Sequence, residues 1–207
     1  MSLTFYYLFI FLLITTTLFQ VWLTKRHIAH IYKNKVKVPT AFAETISILD
    51  HQKAADYTIS KSNIGIIDLF IQALFLYALT LGGGINILTD TFTNLINNEL
   101  IIGALVIISV MLISSLIDLP LSIYKIFNID ERFGFNRMTP QIFISDLVKQ
   151  SILSIVIGIP ILLISLWIIS NLGSLWWLWL WVFISIFNFS MLTIYPSYIA
   201  PFFNKFL

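Results

Sequence analysis

The sequence predicts an all-α, polytopic membrane protein with five transmembrane helices, its N-terminus outside, its C-terminus inside, and an amphipathic helix on the cytoplasmic side. Three observations carry this prediction. Of the 207 residues, 58% are hydrophobic and 11% charged, with a mean hydropathy of +0.92, whereas soluble domains devote about a quarter of their residues to charge. Apolar stretches of 18 to 21 residues recur at 3–23, 64–81, 100–117, 151–169 and 175–195, interrupted only by Asp68. At about 1.5 Å per helical residue each reaches about 27 to 32 Å, the thickness of a hydrocarbon core. All twelve Lys and Arg residues fall in alternate connections, 24–63, 118–150 and beyond 195. Basic connections are retained on the cytoplasmic side, which fixes the orientation. The same composition excludes a secreted globular protein and a soluble nucleic-acid binder, so the lipid bilayer is the expected partner and nucleic acid is not. The absence of cysteine excludes disulfide frameworks, thiolate metal sites and a cysteine nucleophile.

The first span has no cationic region before it and no small-x-small cleavage site after it, so it reads as a retained helix rather than a signal. Behind it come Lys25, Arg26, His27, His30, Lys33, Lys35 and Lys37. His27 and His30 would share a helical face, a spacing that suits a metal, but the neighbouring cations and the lack of a nearby carboxylate make this an interfacial basic segment. Pro39 and Thr40 mark a helix start, and Phe42, Ile46, Leu49 and Tyr57 share one stripe, predicting an amphipathic helix over 40–62. Asp68 lies four residues into the second span. An ionisable group there is either a functional site or a cap that reaches the inner interface.

Gly82-Gly83-Gly84 lacks the preceding strand and the Lys-Ser/Thr of a phosphate loop, and predicts a helix stop or a flexible exit. Asp118-Leu119-Pro120 is expected to end the third span, because proline cannot continue the hydrogen-bond ladder. Asp130-Glu131-Arg132 reads as a solvated salt-bridge cluster rather than an acid/base pair. Asp146 and Lys149 are spaced to pair across one helical turn. Pro160 is expected to kink the fourth span. Trp176, Trp177, Trp179 and Trp181 mark the outer end of the fifth, where indoles prefer to lie. The Asn188-Phe189-Ser190 sequon lies inside that span, out of reach of a transferase. From Tyr195 onward, with Pro196 and Pro201, the chain is expected to leave the membrane as an irregular strap. No repeat or linker is visible, so residues 1–207 read as a single membrane domain.

Three polar stretches share the inner side: His51 to Thr58, Glu131 to Asn136, and Ile194-Tyr195-Pro196 with Ile199 to Phe206. Their common sidedness suggests that they meet. Gly134, between Phe133 and Phe135, would allow a tight turn, with Asn136 bonding backbone groups freed there. These stretches, with Lys61 after the first, together with Asp118-Leu119-Pro120, Tyr124, Phe127, Thr139, Phe143, Asp146 and Lys149, resemble the N-terminal membrane region of the M48 family of integral-membrane zinc metalloendopeptidases. The type is CAAX prenyl protease 1, or Ste24. The resemblance covers essentially the whole chain, and the His51-to-Tyr57 wording is closer to the bacterial branch, implying a bacterial inner membrane in preference to endoplasmic reticulum.

That resemblance implies a ring of helices enclosing a chamber, a zinc site facing into it, and peptide or prenylated-peptide substrates cleaved there. In the family the zinc is held by an HExxH helix and a later glutamate. Here the only histidines are His27, His30 and His51, and none begins an HExxH. No catalytic or metal-ligating residue transfers to this chain. It is expected to hold no zinc itself and to be inert in proteolysis alone, serving a catalytic M48 domain in cis or in trans as chamber wall. Tyr57, Asp68, Arg132, Asn136, Asp146, Tyr195 and Asn204 are the candidate chamber or inter-domain contacts, each polar and in or beside a membrane-proximal motif. The alternative is a non-enzymatic five-span carrier or assembly factor in which Asp68 and the kink at Pro160 line a solute path.

Overall fold

The structure, a computed structural model, describes residues 3–42 and 44–203. Among the described residues every regular element is helical, and five helical stretches are long and apolar enough to cross a membrane. The elements are α1 (Leu3–Asn34), α2 (Ile48–Leu79), α3 (Gly84–Thr93), α4 (Glu99–Tyr124), α5 (Pro140–Leu153), α6 (Ile159–Asn171), α7 (Trp176–Ile194) and the short α8 (Ala200–Phe203). Three π-helical segments join some of them without a break: Lys125–Asp130 prolongs α4, Ser154–Gly158 links α5 to α6, and Tyr195–Ile199 links α7 to α8.

The helices outrun the apolar stretches that announce them. α1 continues to Asn34, so the basic segment after Leu23 is itself helical. The inner amphipathic helix and the second span are one helix, α2, which starts at Ile48 rather than Thr40. Thr40–Phe42 make only a single 3-10 turn. The start is set by Ser47, whose Oγ accepts from the Asp50 N–H at 3.1 Å and donates to Asp50 Oδ2 at 2.7 Å. This satisfies one of the donors a helix N-terminus leaves open. The glycine run does stop α2: Gly83 has φ +77, and a Cβ on Gly82 would lie 2.7 Å from the Ala78 carbonyl oxygen. The chain does not leave as a flexible exit, since α3 begins at Gly84 itself.

Proline behaves differently from expectation at two places. Pro120 lies inside α4 and does not end it, as membrane helices tolerate a missing donor that neighbouring groups compensate. At Pro160 the ladder slips into the π segment Ser154–Gly158 just upstream. A proline ring crowds the carbonyl four residues back, and i→i+5 bonding relieves that crowding. The same offset recurs at Tyr195–Ile199, which ends two residues before Pro201. The predicted irregular strap is therefore helical through Phe203.

The chain forms two compact units, Met1–Leu88 with Val110–Arg137, and Thr89–Ser109 with Met138–Leu207. In the first, α1 packs along α2, and α2 also packs against the Lys125–Asp130 segment; in the second, α6 packs on α7. Buried apolar residues are few: Val21, Ala55, Ile59, Ile129 and Phe133 in the first unit, and Ala104, Ile168 and Ile199 in the second. Phe11, Leu74, Leu116, Trp181 and Phe189 are all more than half exposed. Such side chains are solvated by lipid tails, which are as apolar as they are.

Candidate functional site

A polar stripe on α2 organises the first unit. Lys53, Tyr57, Lys61, Asp68 and Gln72 recur at intervals of 4, 4, 7 and 4 residues, which at about 100° per residue keeps them on one face. The Lys125–Asp130 segment packs against this helix. Residues five apart would diverge by about 140° on an α-helix. The i→i+5 bonding of a π-helix instead makes them near neighbours on one face. Lys125 and Asp130 are five apart, and both reach α2. The Lys125 ammonium lies 3.0 Å from Asp68 Oδ2. Asp130 Oδ1 accepts from the Tyr57 hydroxyl at 2.8 Å and lies 3.7 Å from the Lys61 ammonium. Lys61 also donates to the Tyr57 oxygen at 2.8 Å.

The run from Arg132 to Asn136 completes this clasp. Gly134, at φ +71, donates its N–H to the Glu131 carbonyl at 2.9 Å, and Phe135 donates to the Asp130 carbonyl at 2.8 Å. The two bonds form a Schellman cap, in which the left-handed residue favours glycine. The cap delivers two rings to one tyrosine: Phe133 and Phe135 lie 5.5 and 4.8 Å from the Tyr57 ring centroid. Lys53 stands 5.4 Å from the Phe135 centroid, a cation–π distance. The expected tight turn at Gly134 is present. Asn136 donates its backbone N–H to the Asp130 carbonyl at 3.1 Å and its side-chain amide to Glu131 Oε2 at 2.7 Å.

Deeper along the same face, Gly65, Asp68, Leu69 and Gln72 of α2 and Asp118, Leu121, Ser122 and Lys125 line a cleft of about 420 Å³. Gln72 donates to Asp118 across it. Asp68 is thus an ion-paired side chain in a polar cleft, about a third exposed.

The remaining candidates are more scattered. Arg132 is exposed and lies over the Phe133 ring at 5.7 Å. Asp146, in the second unit, pairs with Lys149 at 3.3 Å across one turn of α5, as its spacing predicts. Tyr195 is 54% exposed at the start of the last π segment. Asn204 lies outside the described residues. The structure therefore brings Tyr57 and the Arg132–Asn136 run together and places Asp68 on the same stripe of α2. Lys61, Gln72, Asp118, Lys125 and Asp130 belong to this cluster as well and were not among the candidates. The interval pattern on α2 was the available signal for two of them.

Zinc does not fit this donor set. Among the described residues no three histidine, cysteine or carboxylate side chains converge to hold a metal ion. His51 places Nε2 3.2 Å from the Asn34 carbonyl oxygen, and His27 and His30 lie on exposed positions of α1.

Residues 27–205 match the family described as CAAX prenyl protease N-terminal, five membrane helices. A CAAX prenyl protease 1 homolog of Caenorhabditis elegans is 31% identical over 178 residues, covering 84% of this chain and 39% of that protein. CAAX prenyl protease 1 of Saccharomyces cerevisiae is 41% identical over 96 residues, covering 45% and 21%. The crystal structure of S. mikatae Ste24p is similar with a TM-score of 0.84 and 26% identity, covering 94% of this chain and 46% of that one. The chain spans less than half the length of these relatives. With five helices fit to cross a membrane and a family match from residue 27 to 205, this multi-pass membrane protein belongs to the CAAX prenyl protease N-terminal family.

Proposed function

We propose that this chain is the membrane, chamber-wall part of a zinc metalloendopeptidase of CAAX prenyl protease type, and that it does not hydrolyse peptide bonds by itself. The observation that carries the reading is the family match over residues 27–205 in a sequence that contains no HExxH. Its work is to hold a catalytic zinc domain, in cis or in trans, and to admit a peptide or prenylated-peptide substrate. Tyr57, Asp68, Arg132, Asn136, Asp146, Tyr195 and Asn204 are the proposed chamber or inter-domain contacts. The clasp gives the first of these a rigid base, since Tyr57 is fixed by one carboxylate, one ammonium and two rings. Asp68, on which a carrier reading depends, is paired with Lys125, and this favours the wall role.

The N-terminus is proposed to lie outside and the C-terminus inside, from the charge partition. A bacterial inner membrane in preference to endoplasmic reticulum rests on the wording of residues 51–57, set against relatives that are eukaryotic; fractionating the source cell checks it. The central test is metal analysis and peptidase assay on the detergent-purified chain. The expected outcome is no stoichiometric zinc and no chelator-sensitive cleavage of a prenylated peptide. One tightly held zinc per chain, or cleavage with contaminating proteases excluded, would overturn the proposal.

A further inference from the structure

α1 has two unlike faces. Val21 is buried, Thr24, Ile28, Ile31 and Lys35 are half-buried, and Lys35 is bound to Asp56 of α2 at 2.7 Å. This is the side that packs on α2. The opposite side carries Phe19, Trp22, Arg26, His30 and Lys33, all exposed. Their intervals of 3, 4, 4 and 3 residues hold them within an arc of about 80°. The stripe is ordered along the helix, aromatic first and cationic after. Phe19 and Trp22 stack at 5.7 Å with planes 25° apart, and the Arg26 guanidinium sits 5.6 Å from the Trp22 centroid.

We propose that this face of α1 is a binding site for the headgroup of an anionic phospholipid. The apolar helix below Phe19 meets acyl chains, and the indole of Trp22 sits at the level where such rings prefer to lie. Arg26 comes about 6 Å further along the axis and Lys33 about 16 Å. Arg26 therefore falls in the headgroup band, and Lys33 reaches back toward it on a long flexible stem. Charge selects the lipid class. Among the described residues Lys25, Arg26 and Lys33 make no ion pair, in contrast to Lys35 on the other face. No Asp or Glu occurs before Glu44, so a phosphate is the complementary partner that a membrane supplies. With the Arg26 guanidinium beside the Trp22 ring, a headgroup phosphate accepts from the guanidinium while the acyl chain lies along Phe19. This site is independent of the proteolytic reading and of which side of the membrane the segment faces.

The test reconstitutes the full chain in phosphatidylcholine bilayers and titrates in phosphatidylglycerol or phosphatidylcholine with brominated acyl chains. The signal is quenching of Trp22, isolated by subtracting the Trp22→Phe variant. A preference for phosphatidylglycerol is expected, reduced about fivefold by Arg26→Gln and about fivefold by Lys33→Gln. It should be retained in Arg26→Lys and in Arg137→Gln, which removes an equal charge elsewhere. Equal quenching by the two lipids, or a preference unmoved by either stripe variant, would overturn the proposal. So would a preference lost equally in Arg137→Gln, which would mark a net-charge effect. Quenching by neither lipid, with a Trp22 signal that depends on protein concentration, would mean that a second copy of the chain covers this face.

Discussion

Tyr57 joins several separable interactions in the first unit. Its hydroxyl donates to Asp130 and accepts from Lys61, while its ring packs on Phe133 and Phe135. Tyr57→Phe keeps the ring contacts and deletes both hydrogen bonds, with an expected cost of about 1 kcal/mol. A double-mutant cycle with Asp130→Ala, read by denaturation in micelles, should show coupling of similar size. Additive effects would mean that the two residues do not act on each other. The Lys61 to Asp130 pair adds little, being 3.7 Å long and nearly half-exposed on the lysine side.

Lys35 offers a prediction in pH. The Asp56 carboxylate, accepting a hydrogen bond from its ammonium, raises the lysine pKa above the ordinary value. A raised pKa contributes stability that is whole below the unfolded value, about 10.4, and is lost as pH climbs through the folded one. A spin label at Val36 should therefore keep the same mobility from neutral to mildly alkaline pH and loosen only above about pH 10.4. Asp56→Asn should show the looser spectrum already at neutral pH. Loosening of the parent protein near neutrality would show that another group holds this connection.

At the scale of helices, the three π segments have two different causes. Ser154–Gly158 and Tyr195–Ile199 each end two residues before a proline, Pro160 and Pro201. Lys125–Asp130 has no proline at that offset and is held by the bonds of Lys125 and Asp130 to α2. Pro160→Ala restores an N–H at 160, and Ser154–Gly158 is expected to rewind to α. Residues of α6 would then rotate by about 100° against those of α5. Spin labels introduced singly at Ile168, 6% exposed, and Ile169, 42% exposed, which lie about 100° apart on the helix, report this as a change of oxygen accessibility at each. No change at either position would mean that packing rather than proline sets the π winding.

The helices also show how far the sequence speaks. All five spans are legible because 18 to 21 apolar residues match a bilayer in length, whatever their neighbours do. Their ends are not, because hydropathy marks where lipid stops and the hydrogen-bond ladder stops elsewhere, at Asn34 for α1 and Ser47 for α2. Pro120 and the run after Tyr195 mislead for a related reason, since a membrane helix can absorb a missing donor or slip to wider bonding. In the candidate site, Tyr57 and Asp68 stand out as polar groups in or near a span. Lys125 and Asp130 do not, because an ordinary helix would turn them about 140° apart and only the π winding aligns them.

For the molecule as a whole, the partition of twelve cations gives an orientation open to direct test. A reporter placed within 82–99 is expected to be exported, and one fused after Leu207 to stay in the cytoplasm. Finding either on the other face would mean that the charge partition does not set the topology. A further consequence follows from α2 being a single rod. Its 32 residues extend about 48 Å, from the Ser47 cap to the glycine stop at the far end. A tilt of roughly 5° about the capped end would carry the other end sideways by roughly 4 Å over that length. A docking event at the clasp would thus be felt on the opposite leaflet through one stiff lever, with no relay of separate rearrangements in between.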